Sequence, residues 1–175
     1  MNMKRTPRSS HSLSAALAVA LVAPAAALAN PSGGVVRAGN ASISGQGTAQ
    51  VDVQQQSRGA VFSWQSFNIQ AHEVTNFHQP DASSVALNRI LDQNASQILG
   101  SLNANGHVYL INPNGILFGQ TAQVNVHSLT AATSLDGDDL IAVHGFDPRA
   151  HSAPDARIEN QGTIRAGDGG LVYLV

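Results

Sequence analysis

Six histidines follow residue 30: His72, His78, His107, His127, His144 and His151. Zinc sites pair histidine with cysteine, or with a second histidine one helical turn away. None of the six has such a partner and the chain contains no cysteine, so they read as polar-face or loop residues. Asp136-Gly137-Asp138-Asp139 resembles part of a calcium loop. It lacks the ligand spacing and the closing glutamate, and reads as a solvated turn. The chain has no Gly-x-Ser-x-Gly elbow and no phosphate-binding loop. No pair of acids falls in a convincing strand register with a basic partner, which is what a sugar-cleaving site on a sheet requires. The expectation is a protein that is not an enzyme and needs no metal or cofactor.

One segment has fully specified chemistry of another kind. In Ile111-Asn112-Pro113-Asn114-Gly115-Ile116 a turn joins two apolar runs, Val108–Ile111 and Ile116–Phe118. Asn112 suits the first position of a type I turn and Pro113 presets φ at the second. Asn114 fits the bridge or left-handed region, and Gly115 fits the fourth position. The flanking runs read as buried strands.

The elements that must position this turn are strands. Ala122, Val124 and Val126 alternate with Gln123, Asn125 and His127, and Leu140, Ala142 and His144 alternate with Ile141 and Val143. Val35, Ile43, Val51 and Val53 lie in short runs divided by Gly39-Asn40 and Gly45-Gln46-Gly47. Short alternating runs with frequent turn signals predict an all-β fold. Ser96 to Leu102 is compatible with a helical turn or a strand. Arg157 to Leu174 loosely echoes Val36 to Val53, as repeating coils of a β-helix would. Trp64, Phe67 and Phe77 are expected in the core. Arg89 has two readings: pairing with a partner's carboxylate, or capping a neighbouring turn.

Lys4, Arg5 and Arg8 precede an apolar stretch from Leu13 to Val22 and the small-x-small triplet Ala27-Leu28-Ala29. This is the layout of a cleaved signal peptide, residues 1–29, with cleavage after Ala29. The stretch is too short to span a bilayer, so no stable membrane insertion is expected. The mature part, residues 30–175, forms one domain. Cleavage removes three of the nine cations, leaving six arginines and no lysine against 11 acids. A net charge near −5 without a basic patch excludes a nucleic-acid partner. Without disulfides, the exported domain depends on packing and hydrogen bonds. Amide and small polar residues abound while charged residues are only 11%, a mixture that suits stacked sheets.

The wider run Leu87-Asn88-Arg89-Ile90-Leu91, then Ser96-Gln97-Ile98-Leu99-Gly100-Ser101-Leu102-Asn103-Ala104-Asn105-Gly106-His107-Val108-Tyr109-Leu110 into the turn, joins Trp64–Ile69 and Val74–Pro80 upstream. In content and order it resembles the N-terminal secretion domain of filamentous haemagglutinin-type exoproteins, the two-partner secretion or haemagglutination activity domain. The resemblance covers residues 32–175. It lacks the second Asn-Pro-Asn-Leu turn of some members, which places it with the adhesin and haemophore-like branch. The resemblance implies a right-handed parallel β-helix with an N-terminal cap, about residues 31–60, and extra antiparallel strands. At roughly 20–25 residues per rung, about six coils are expected. The apolar end at Leu171–Val175 is expected to be an internal cut in a longer solenoid.

By the same resemblance, the chain is exported by the general secretion machinery through the periplasm to the cell surface or medium. Its implied partner is an outer-membrane β-barrel transporter with periplasmic polypeptide-transport-associated domains. Asn112, Pro113, Asn114, Gly115 and Ile116, with Asn88 and Arg89, are the candidate residues for transporter recognition or folding nucleation. The alternative is an adhesive module that contacts glycans or proteins of a host surface. In a bacterial exoprotein the sequons Asn40-Ala41-Ser42 and Asn94-Ala95-Ser96 read as coincidence.

Overall fold

The computed structural model describes residues 30–134 and 152–175. The proposed signal peptide with Ala27 and Ala29, the acidic turn 136–139, the alternation at 140–144, His144 and His151 lie outside the described residues. Among these residues there is no helix, and so none long and apolar enough to cross a membrane.

Alternation decides the strands. In β3 (Gln50–Gln55) Val51 and Val53 are buried while Gln50 and Gln54 face out; in β11 (Gln123–Val126) Val124 and Val126 are buried, as expected. The remaining strands are β1 (Val35–Ala38), β2 (Ala41–Ser44), β4 (Gly59–Trp64), β5 (Val74–His78), β6 (Val85–Ile90), β7 (Ser96–Ile98), β8 (Ser101–Ala104), β9 (His107–Ile111), β10 (Ile116–Phe118), β12 (Ser128–Ala132), β13 (Ile158–Asn160), β14 (Thr163–Ala166) and β15 (Val172–Leu174). Ser96 to Leu102, open between helix and strand in sequence, contributes to β7 and β8.

These strands form three sheets, ordered β1-β4-β6-β9-β12-β15, β2-β3-β5-β8-β11-β14 and β7-β10-β13. Apart from β1 with β4 and β2 with β3, every pairing is parallel. The result is a parallel β-solenoid. Three turns carry a strand on each face: β5-β6-β7, β8-β9-β10 and β11-β12-β13. That is fewer than the six coils expected. Residues in register are 24 apart from Gln50 to Val74, 27 from Val74 to Ser101, and 22 from Ser101 to Gln123. The next step, Gln123 to Thr163, takes 40 residues because the chain leaves the solenoid after β12 and returns at β13.

The cap is also shorter than expected. Only β1 and β2 run antiparallel, while β3 and β4 already pair in parallel with the next rung. Gly45 turns the chain between β2 and β3 at φ +77°, a left-handed conformation that favours glycine. The echo between 36–53 and 157–174 is therefore not a structural repeat. The first segment is mainly antiparallel cap, the second parallel rungs.

Inward side chains stack rung on rung, as in Val51, Thr75, Leu102, Val124 and Ile164. Trp64, Phe67 and Phe77 are buried, as expected. Together with Phe62 they form an aromatic plug beneath the cap, with Trp64 and Phe67 edge-to-face at 5.4 Å and Phe62 and Phe77 at 6.1 Å.

On the outer face of the second sheet, three asparagines one rung apart form an amide ladder. Asn125 Nδ2 donates to Asn103 Oδ1 (3.2 Å), Asn103 Nδ2 to Asn76 Oδ1 (3.0 Å), and Asn76 Nδ2 to Asp52 Oδ1 (2.9 Å).

Candidate functional site

The Asn112–Gly115 segment closes the corner between β9 and β10 with the predicted bond: Gly115 N–H donates to the Asn112 carbonyl at 3.0 Å. Asn114 N–H donates to Asn112 Oδ1 (2.9 Å), which adds an Asx turn inside the β-turn. Asn114 stays out of the left-handed region, since the only positive φ angles belong to glycines. Gly115 sits at φ +101°, and a Cβ there would stand 2.7 Å from the Arg157 carbonyl oxygen. No other residue type fits without strain.

The turn is tied to its neighbours on both sides. Asn112 is fully buried, and its Nδ2 donates to the Asn94 carbonyl and to Ser96 Oγ, both at 3.0 Å. Asn114 Nδ2 donates to the Asp92 carbonyl (2.8 Å). These bonds reach back to the corner one rung earlier. On the other side, Ala153 N–H donates to the Pro113 carbonyl (2.8 Å), and Ile116 N–H donates to the Arg157 carbonyl (3.1 Å). Ile116 is itself buried and pairs in register with Ser96 and Ile158.

Asn88 and Arg89 lie on β6, away from the turn, so the structure does not gather all the candidates into one site. Asn88 is fully buried and accepts from Trp64 Nε1 (2.9 Å); its Nδ2 donates to the carbonyls of Ala86 (3.2 Å) and Tyr109 (3.1 Å). It is a core polar residue whose role is to satisfy the buried indole. Arg89 points outward on the same strand, half-buried, in register between Ser63 and Ile111.

Sequence reasoning missed the turn's partners, the 92–96 corner and the 153–157 return. Ser96, part of a coincidental sequon, accepts the buried amide of Asn112. It also missed the amide ladder, although asparagines at 76, 103 and 125 recur at the rung length.

A shallow cleft of about 280 Å³ flanks the turn, lined among others by Gln97, Asn114, Asp155, Arg157 and Glu159. The Arg157–Glu159 pair across it (3.5 Å) is exposed and contributes little. Among the described residues no group of three or more histidines and acids could hold a metal. Two groups titrate away from their ordinary ranges. Hydrogen bonds from Asn76, then Gln50 and His78, hold the Asp52 carboxyl below its usual range. Burial, then the neighbouring His127, pushes the His107 imidazole down; His107 also stacks on Tyr109 at 4.2 Å and bonds Thr130 Oγ1 at 3.0 Å.

The arrangement holds rungs in register and has no chemistry for bond cleavage or transfer, which is the profile of a secretion-domain solenoid. Residues 26–174 match the TPS secretion domain family model, so the chain belongs to that family, the two-partner secretion domains of exoproteins. It is 45% identical over 103 residues to a heme/hemopexin-binding protein of Haemophilus influenzae (strain Rd), covering 59% of this chain and 11% of that protein. A second Haemophilus influenzae protein of the same description is 45% identical over 84 residues, covering 48% of this chain and 9% of its own. The match thus spans about a tenth of each relative's length. The crystal structure of the HMW1 secretion domain from Haemophilus influenzae superposes with a TM-score of 0.65 at 30% identity, covering 77% of this chain and 36% of that one.

Proposed function

We propose that this domain targets a large exoprotein for secretion and nucleates its folding. A dedicated outer-membrane β-barrel partner, through periplasmic polypeptide-transport-associated domains, recognises the chain after the general secretion machinery has delivered it to the periplasm. The family match over residues 26–174 is the observation that carries this reading. The burial of the turn adds to it. In the folded domain the Asn112 side chain is spent on Asn94, Ser96 and Asn114, so a transporter that reads Asn112 reads it before folding. The unfolded segment then binds as an added strand on a sheet edge of the transporter. Outside the cell each rung needs only its neighbour, so folding starts here and propagates, and that free energy biases transport outward. No catalysis is assigned to the domain.

The adhesive alternative has less support. The large exposed apolar side chains, Val35, Leu91 and Leu171–Val175, lie on the cap, at one corner and on the last rung, and do not form a patch across one face. The test is export of residues 1–175 from a two-membrane host with and without a cognate barrel partner. Accumulation in the medium only with the partner is the expected result. Partner-independent export, or periplasmic retention in both cases, overturns the reading.

A further inference from the structure

The Asn112–Ile116 turn stands where the solenoid is interrupted. The chain leaves after Ala132 at the end of β12 and re-enters at Ile158 in β13. Both ends of this detour bond the turn's main chain. Asn112 N–H donates to the Ala132 carbonyl (3.1 Å) at the departure. At the return, Ala153 N–H donates to the Pro113 carbonyl (2.8 Å) and Ile116 N–H donates to the Arg157 carbonyl (3.1 Å). A hydroxyl bond between Ser152 and Thr133 (2.9 Å) closes the neck. The turn's side chains face the other way, since the amides of Asn112 and Asn114 bond only the 92–96 corner of the rung before.

We propose that this turn is a register seat. Side-chain amides fix it to the preceding rung, so that its main chain selects where the chain re-enters the solenoid after the detour. The problem it solves is specific to this place. Rungs elsewhere in the parallel stack follow one another after 22 to 27 residues, whereas the rung entered at β13 follows after 40. A longer closure costs more chain entropy and admits more competing registers, and a one-residue slip would turn every side chain of the new strand to the wrong face. The close approach at Gly115 removes such slips. With Arg157 against that glycine, Ile158 falls beside Ile116, Glu159 beside Leu117 and Asn160 beside Phe118. Asn112, Pro113 and Gly115 are positioning residues here, whether or not a transporter also reads them.

Hydrogen exchange of the purified chain tests this without any transporter, so its outcome is independent of the secretion reading. Gly115→Val places a side chain against Arg157. Its expected effect is about tenfold faster exchange of the amides in β13 and β14, with β5 and β6 unchanged. Ala153→Pro removes the N–H that bonds Pro113 and keeps the test open should the first variant not fold; the same localised loss is expected. Asn114→Ala is the opposite control and should loosen 92–96 first. Uniform acceleration across all rungs, or no change in β13 and β14 for a folded variant, overturns the proposal.

Discussion

Asn112→Ala removes one fully buried side chain that takes part in three hydrogen bonds, with Asn94, Ser96 and Asn114. At about 1 kcal/mol net for each bond, the loss is about 3 kcal/mol, with little relief because Ser96 is left buried with one partner fewer. For a domain of this size that corresponds to a drop in melting temperature of about 9 °C. Urea unfolding followed by circular dichroism measures the first figure and a thermal scan the second. Asn112→Asp keeps an acceptor for Asn114 N–H but turns a carboxylate towards the Asn94 carbonyl, so it should cost at least as much as alanine. A loss under about 1 kcal/mol for both variants would refute the reasoning, because buried bonds of this geometry cannot be removed so cheaply. The stability result also calibrates export. Gly100→Ala serves as a matched lesion, since a Cβ there collides with the carbonyls of Gln70 and Glu73. Export lost in Asn112→Ala but kept in an equally destabilised Gly100→Ala assigns a recognition role to the asparagine itself.

Asn88→Leu leaves the Trp64 indole N–H buried without its acceptor, and should lower stability by about 1–3 kcal/mol in urea titration. Phe77→Ala empties part of the aromatic plug and should cost about 3–5 kcal/mol by the same measurement. Asp52 has its folded pKa below the ordinary 3.8, so its contribution is fully present above that value and is lost as pH falls through the folded pKa. Asp52→Asn should flatten the acid limb of stability below pH 3.8. His107 has its folded pKa below 6.5, so below that pH the unfolded chain binds the extra proton and stability falls on acidification. His107→Gln should weaken that fall in melting scans from neutral pH downwards.

The parts of this fold legible in the sequence are those set by neighbours in the chain. Alternation at Ala122–Val126 and the bond from Gly115 to Asn112 follow from period-two burial and from proline's fixed φ. The rung count was not legible, because rung length varies with the corners: Gln79–Ser84 separates β5 from β6, whereas Asn105-Gly106 separates β8 from β9. The cap boundary was hidden for a related reason. Val36–Val53 has the same local pattern as a rung, and only tertiary pairing makes β1 and β2 antiparallel. Asn88 was singled out by resemblance alone, and its burial beside Trp64 comes from contacts 24 residues apart. The turn was correctly picked out, but its partners at 92–96 and 153–157 become neighbours only once rungs stack.

The amide ladder has a direction. Every donor from Asn125 through Asn103 to Asn76 points toward the amino-terminal rung, and the chain of dipoles ends on the anionic Asp52. Each link polarises the next, so an amide joins more favourably to a row already terminated by charge than to a free neighbour. The row therefore behaves like a crystal face with one seeded edge. Growth from Asp52 outward is favoured, and nucleation in the middle is not. A chain that emerges from a membrane amino-terminus first delivers its residues in that same order, so the sequence of arrival and the sequence of stabilisation coincide.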